Sequence, residues 1–143
     1  MYKVDGKEII FVYGSNRAGI HGAGAALFAK KHYGAVQGRG IGLHNKCYGI
    51  PTKGWHMEVL TLPEIQSGVN DFLQFADACM VLPDRLFWIT AIGTGLAGYS
   101  HKDIAPLFKA IPPNCRLPSQ WEAILRNLGA GLDPKCFTRR SAV

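Results

Sequence analysis

Ile9-Ile10-Phe11-Val12-Tyr13 is an apolar, β-branched and aromatic run that ends on Gly14, a pattern that predicts a buried strand. Ala25 to Tyr33 then reads as a helix closed by Gly34. Residues 35 to 46, with Gly38-Arg39-Gly40-Ile41-Gly42 among them, have loop composition and no clear period. Cys47-Tyr48-Gly49-Ile50 predicts a short strand stopped by Pro51. Thr61 and Glu64 form a capping-box signature, and Ile65, Val69, Phe72, Leu73, Ala76 and Met80 recur at helical spacing, so a helix is predicted from 62 to about 80. That stripe reads as core. Leu86 to Ile92 is a continuous apolar strand of the kind covered on both faces. Asp103 is the expected N-cap of the next helix, with Pro106 in its first turn. Cys115-Arg116-Leu117 predicts a last strand, and Ser119 with Glu122 a second capping box on a helix ending near Gly129. Strands alternating with helices predict a layered α/β domain over residues 1–129, followed by a basic C-terminal tail, 130–143, that carries Lys135, Arg139 and Arg140.

Two of these strands run directly into glycine-rich connections. Gly14 to Ala26, GSNRAGIHGAGAA, leads from the first strand to the first helix, and Gly93-Thr94-Gly95-Leu96-Ala97-Gly98-Tyr99 follows the Leu86–Ile92 strand. Glycines there let the backbone approach a ligand and turn its N–H groups outward, while a helix N-terminus adds partial positive charge; both favour phosphate or carboxylate. Two such loops at strand C-terminal ends predict one shared crevice for an anionic, nucleotide-like ligand. The phosphate loop of NTPases is excluded, because Gly24 is followed by Ala25-Ala26 instead of Lys-Ser/Thr. The dinucleotide fingerprint is excluded because Leu27 stands where its third glycine belongs.

At 143 residues and 48% hydrophobic content, the chain can bury one sizeable core. Cys47, Cys79, Cys115 and Cys136 are widely spaced with no CxxC pair, which suggests reduced thiols in a cytoplasm and neither a disulfide framework nor a zinc knuckle. No signal segment or membrane-length apolar run is visible. The net charge of +6 fits an anionic partner, either a phosphorylated small molecule or nucleic acid.

Asn16, HGAGAALFAKKHYG at 21 to 34, IPTK at 50 to 53 and AIGTGLAGY at 91 to 99 together resemble a macrodomain. The set is most similar to the branch that holds the antitoxins removing ADP-ribose from DNA and the protein ADP-ribosyl-acceptor hydrolases. It covers residues 8 to about 125. The resemblance implies a three-layer α/β/α fold with a central mixed sheet, holding ADP-ribose between two loops, without metal or cofactor. It implies that Asn16 contacts the distal ribose and that Lys53 is the catalytic residue at its anomeric carbon. It also implies ligand contacts from Gly14, Ser15, Gly19, Ile20, His21, Gly22, Ala23, Gly24, Ala25 and Thr52 on one side. Gly93, Thr94, Gly95, Leu96, Ala97, Gly98 and Tyr99 are the implied contacts on the other.

The residues support part of this independently. Lys53 follows a strand end and Pro51, which directs its amine out of the sheet; an unprotonated amine beside a sugar C1 can attack it, and a protonated one can donate to the leaving group. His21 and His56 are further proton-transfer candidates, Trp55 a stacking candidate, and Tyr99 a candidate ribose or phosphate contact. Protein-directed relatives carry an acidic residue where this chain has Ala97, whereas DNA-directed relatives have a small one, which points to a DNA base as acceptor. The chain departs from those relatives at Ala23 and at Gly54-Trp55-His56. Two functions of different class follow. One is a monomeric cytoplasmic ADP-ribosyl glycohydrolase acting on ADP-ribosylated nucleic acid or another acceptor, in an antitoxin or counter-defence role. The other is a module that sequesters ADP-ribose or an NAD-derived signalling nucleotide. A general nucleic-acid binder is a third, resting on charge alone.

Overall fold

A computed structural model describes residues 2–138. The elements in chain order are β1 (Lys3–Val4), β2 (Lys7–Asn16), α1 (Gly24–His32), β3 (Gly42–His44), β4 (Cys47–Lys53), α2 (Leu62–Ala78), β5 (Arg85–Ile89), α3 (His101–Ile104), β6 (Cys115–Pro118), α4 (Glu122–Asn127) and β7 (Phe137–Thr138). The seven strands form one mixed sheet in the order β3-β4-β2-β5-β6-β7, with β1 paired to β2. β2 pairs in parallel with β4 and β5, while β1 and β3 run antiparallel to their neighbours.

The sheet is covered on both faces, and β2 shows why its sequence is apolar throughout. Ile10 and Val12 pack with Ile65, Val69, Phe72 and Ala76 of α2, Ile104 of α3 and Leu125 of α4. Ile9, Phe11 and Tyr13, alternating with them, pack with Ala26 and Ala29 of α1 and with Tyr33. A strand buried on both faces has no solvent side to mark with polar residues. The predicted α2 stripe is buried at Ile65, Val69, Phe72 and Ala76, and the Thr61–Glu64 capping box forms, with Glu64 N donating to Thr61 Oγ1 at 3.3 Å and Thr61 N to Glu64 Oε1 at 3.0 Å. Met80, expected on that stripe, is exposed in the 3₁₀ turn Cys79–Val81.

Several boundaries differ from expectation. β4 continues through Pro51 to Lys53; β3 covers it only from Cys47 to Gly49, so the missing proline N–H lies beyond that ladder. β5 ends at Ile89 because Ile92 N donates to Thr90 O, bending the chain at a three-residue turn. α3 is capped by Ser100, with Asp103 as the return partner of that capping box, and Pro106 lies in the 3₁₀ turn Ala105–Phe108. Ser119 opens a 3₁₀ turn without a side-chain cap, and Glu122 receives Arg126 at 2.9 Å.

The segment after Gly129, expected as a solvated tail, is packed as far as Thr138. Asp133 caps the 3₁₀ turn Pro134–Cys136, and β7 then pairs with β6, burying Cys136 and Phe137. Lys135 belongs to that turn, while Arg139 and Arg140 lie outside the described residues. All four cysteines are free and buried. Among the described residues, no helix is long and apolar enough to cross a membrane.

Candidate functional site

From β2 the chain passes through α1 to β3 and β4 on one side, and from β4 through α2 to β5 on the other. The C-terminal end of β2 is therefore where the strand order reverses, the position at which open α/β sheets form a ligand crevice. A cleft of about 390 Å³ lies there, within the usual range for small-molecule sites. It is lined by the ends of β2 (Gly14, Ser15, Asn16) and β4 (Thr52, Lys53), by Ile20, Gly22, Ala23, Ala25 and Ala26 of the first loop and α1, and by Gly93 to Ala97 of the second loop. Thus Asn16, Lys53 and Thr94 share one cavity.

At the floor the second loop packs on β2: a Cβ on Gly14 would lie 3.4 Å from both Gly93 N and Ile92 Cβ, ordinary contact distance. Above it, α1 has Ala23 as its N-cap residue, with no side-chain cap and no acidic residue in its first turn. The N–H groups of Gly22 and Ala23 in one loop, and of Gly95, Leu96 and Ala97 in the other, make no hydrogen bond among the described residues. Unsatisfied backbone donors on opposite walls, with a helix N-terminus behind one of them, suit an anion that spans the cleft.

The hydroxyls that line the cleft are occupied with its own framework. Ser15 Oγ donates to Gly40 O, Thr52 Oγ1 to Ser15 O at 3.3 Å, Thr90 Oγ1 to Val12 O at 2.8 Å and Thr94 Oγ1 to Ala91 O at 2.7 Å. No Asp or Glu is among the lining residues, and Lys53 is the charged group there.

Asn16 and Lys53 are register partners on the parallel pair β2 and β4, brought opposite one another by an irregularity between Ser15 and Asn16. Their Cα atoms are thus about 5 Å apart, one strand spacing. The Asn16 amide closes the first loop on itself, with Nδ2 donating to Ile20 O at 2.8 Å and Oδ1 accepting from Ile20 N at 2.9 Å. One N–H and one lone pair of that amide remain for a ligand. The Lys53 amine makes no ion pair or hydrogen bond among the described residues.

Five of the expected contacts lie elsewhere. Gly19, His21, Gly24, Gly98 and Tyr99 do not line the cleft. Gly19 and Gly24 have positive φ (72° and 56°) and shape the first loop, and Gly98, at 83°, shapes the second. His21 is buried beneath the first loop, with Nε2 2.9 Å from Val36 O and its ring edge-on to Tyr13. His44 and Cys47 lie in the same buried layer; desolvation lowers the His44 pKa and pushes the Cys47 thiol up to about 12. Tyr99 Oη donates to Leu60 O at 2.5 Å, which ties the second loop to the chain beyond β4. His56 is exposed in the turn after Lys53.

Other contributors were not anticipated. Met57, Thr90, Ala91 and Ile92 line the cleft, Met57 because the chain folds back after Lys53. Gly38, Gly40 and Gly49 carry the first loop. Gly38 N donates to Gly19 O at 2.8 Å, a Cβ on Gly40 would lie 1.9 Å from Asn16 O, and one on Gly49 2.4 Å from Gly40 O. Clustered glycines at 38 to 42 were the available signal, but nothing local tells which backbone they meet.

Chemically, the cleft offers backbone N–H groups to an anion, a half-free amide, and one amine at the end where β2 and β4 meet. Comparison with protein-family models, with curated proteins and with solved structures finds no match for this chain.

Proposed function

We propose that this protein is an ADP-ribosyl glycohydrolase of macrodomain type, which holds the diphosphate of ADP-ribose between its two glycine loops and cleaves the bond from the distal ribose to an acceptor, a DNA base. The observation that carries the reading is the register pairing of Asn16 and Lys53 inside a cleft whose two loops carry free N–H groups. In the reaction the Lys53 nitrogen attacks C1, the bond to the acceptor breaks, and the acceptor leaves with the proton shed by that nitrogen. Water then releases ADP-ribose and restores the lysine. Asn16 holds the first loop in shape and offers its remaining N–H to the ribose.

The test is release of ADP-ribose from modified DNA and from modified protein by the wild type and by Lys53→Ala. Release by the wild type that drops at least about a hundredfold in the variant, with ADP-ribose affinity within about threefold, is expected if Lys53 acts in the transition state. No release from either substrate by the wild type removes the catalytic claim. A second reading, capture of ADP-ribose or a related nucleotide without cleavage, is favoured by the absence of any acid at Ala97 or elsewhere on the lining. Calorimetric binding followed by recovery of the ligand separates the two: conjugated ligand recovered intact supports capture, and cleaved ligand excludes it.

A further inference from the structure

Residues 22 to 25, which carry the free Gly22 and Ala23 N–H groups on the cleft wall, are glycine and alanine and are exposed throughout. The stretch therefore has no side chain of its own to hold it in place. Its two flanks are buried: Ala26 is 8% exposed and His21 is 1% exposed. Ala26 is fixed by α1. The other end depends on His21.

The His21 ring sits in a socket formed by three separate parts of the chain. Tyr13 of β2 meets it edge-on, with ring centroids 5.8 Å apart, and His44 of β3 lies nearly parallel to it at 6.3 Å. From the segment between α1 and β3, Val36 O lies 2.9 Å from Nε2, and Gln37 Oε1 accepts from His21 N at 3.4 Å. A carbonyl can only accept, so Nε2 carries a hydrogen and donates it. Nδ1 is buried and has no partner among the described residues. Val36 O also accepts from Arg39 N at 3.0 Å, so the turn beyond α1 is closed without the histidine.

For the fold alone, then, the imidazole gains little. One bond to a carbonyl that is already bonded is set against a buried nitrogen left unpaired, and the two effects are of similar size. What the bond does accomplish is a tie between the first loop and the segment from Val36 to Gly38, reinforced where Gly38 N donates to Gly19 O at 2.8 Å. The Gly22 N–H begins one peptide unit beyond that tie.

We propose that His21 is a positioning residue: from beneath the first loop, through its bond to Val36 O, it aims the Gly22 and Ala23 N–H groups at the diphosphate in the cleft. This deepens the ADP-ribose reading and rests on it. The histidine never touches the ligand; it fixes the chain path that presents the donors.

Calorimetric titration with ADP-ribose, amide NMR spectra and thermal melts of the wild type, His21→Leu and His21→Gln test the assignment. Leucine keeps a buried side chain of similar size without the N–H, whereas glutamine places an N–H at the reach of Nε2. His21→Leu is expected to bind ADP-ribose about fivefold more weakly, the worth of one hydrogen bond. Its Gly22 and Ala23 amide signals shift or broaden, and its melting temperature stays within about 4 °C of the wild type. His21→Gln brings the affinity back to within about twofold and returns those signals towards their wild-type positions. Equal affinity in His21→Leu and wild type overturns the anchor while the ADP-ribose reading stands, and so does an equal loss in both variants. A fall in melting temperature of more than about 10 °C in His21→Leu makes the effect one of folding and overturns the assignment too. A wild type that does not bind ADP-ribose overturns the ADP-ribose reading itself, and this proposal with it.

Discussion

Gly40→Ala is the substitution for which the structure makes the sharpest demand. Gly40 lies against the last residue of β2, and a methyl group there would be 1.9 Å from the Asn16 carbonyl oxygen and 3.2 Å from Gly19 N. Non-bonded heavy atoms sit comfortably at about 3.5 Å or more, so one of two backbones must move by more than an ångström. Neither is free to do so. Asn16 is held in register with Lys53, and the Gly40 carbonyl takes the Ser15 hydroxyl while packing on Gly49. Overpacking against backbone costs about 1–3 kcal/mol, and in a domain of this length each kcal/mol lowers the melting temperature by roughly 3–4 °C. The expected fall is therefore roughly 3–12 °C. Because the displaced atoms include Asn16 and the start of the first loop, affinity for ADP-ribose should fall about tenfold as well. Gly22→Ala is the matched control, since Gly22 lines the same cleft, has no positive φ, and a Cβ there meets nothing within 4 Å. Differential scanning fluorimetry and calorimetry on both variants suffice. If Gly40→Ala melts with the wild type and binds equally well, the claim that the 38–42 loop wedges the first loop into shape is refuted.

Three further outcomes follow from named contacts. Tyr99→Phe removes the hydroxyl bond to Leu60 O, which costs about 1 kcal/mol of stability but leaves ADP-ribose affinity within about twofold, since Tyr99 braces the loop from outside the cleft; a tenfold affinity loss by calorimetry would place it at the ligand instead. Burial holds the folded His44 pKa below its unfolded value, so the unfolded chain takes up the proton first, and stability is complete above the unfolded value near ~6.5 and declines as pH falls below it. Urea unfolding of His44→Gln between pH 7.5 and pH 5.5 should show a shallower decline than the wild type, and equal slopes would exclude His44 as a source. All four thiols are buried, with Cys47 raised to about 12 and Cys115 also pushed up by burial, so a thiol reagent should label essentially none in the native protein and four after denaturation. Rapid native labelling would contradict that burial.

What was legible in the sequence was whatever is decided within a few residues. The apolar run at 9 to 13, the stripe from Ile65 to Ala76 and the Thr61–Glu64 box each carry their own period or cap, and each forms as expected. Decisions made by distant partners were hidden. Whether Pro51 ends a strand depends on where β3 stops, and whether residues 130 to 138 are tail or sheet depends on the free edge of β6. Asn16 was visible as a site residue, but its use as a staple on Ile20 depends on a loop geometry that nothing in GSNRAGI states. His21 and Tyr99 carry the right chemistry in the right loops, yet one lies beneath its loop and the other behind it.

The same distinction explains how the cleft is built. Its four hydroxyls bond to their own backbone, and the Asn16 amide is half committed, so recognition falls to N–H groups on two loops and to Lys53. Backbone donors have no side chain by which to be adjusted; they are aimed only by the path of the chain. That path is set at Gly19, Gly40 and Gly49, where backbone meets backbone at distances that exclude a methyl group. The positions most decisive for the ligand are therefore expected to be ones that carry no functional group. Substitutions at these glycines should impair binding more than removal of the Ser15, Thr52 or Thr94 hydroxyls, whose loss leaves the chain path in place.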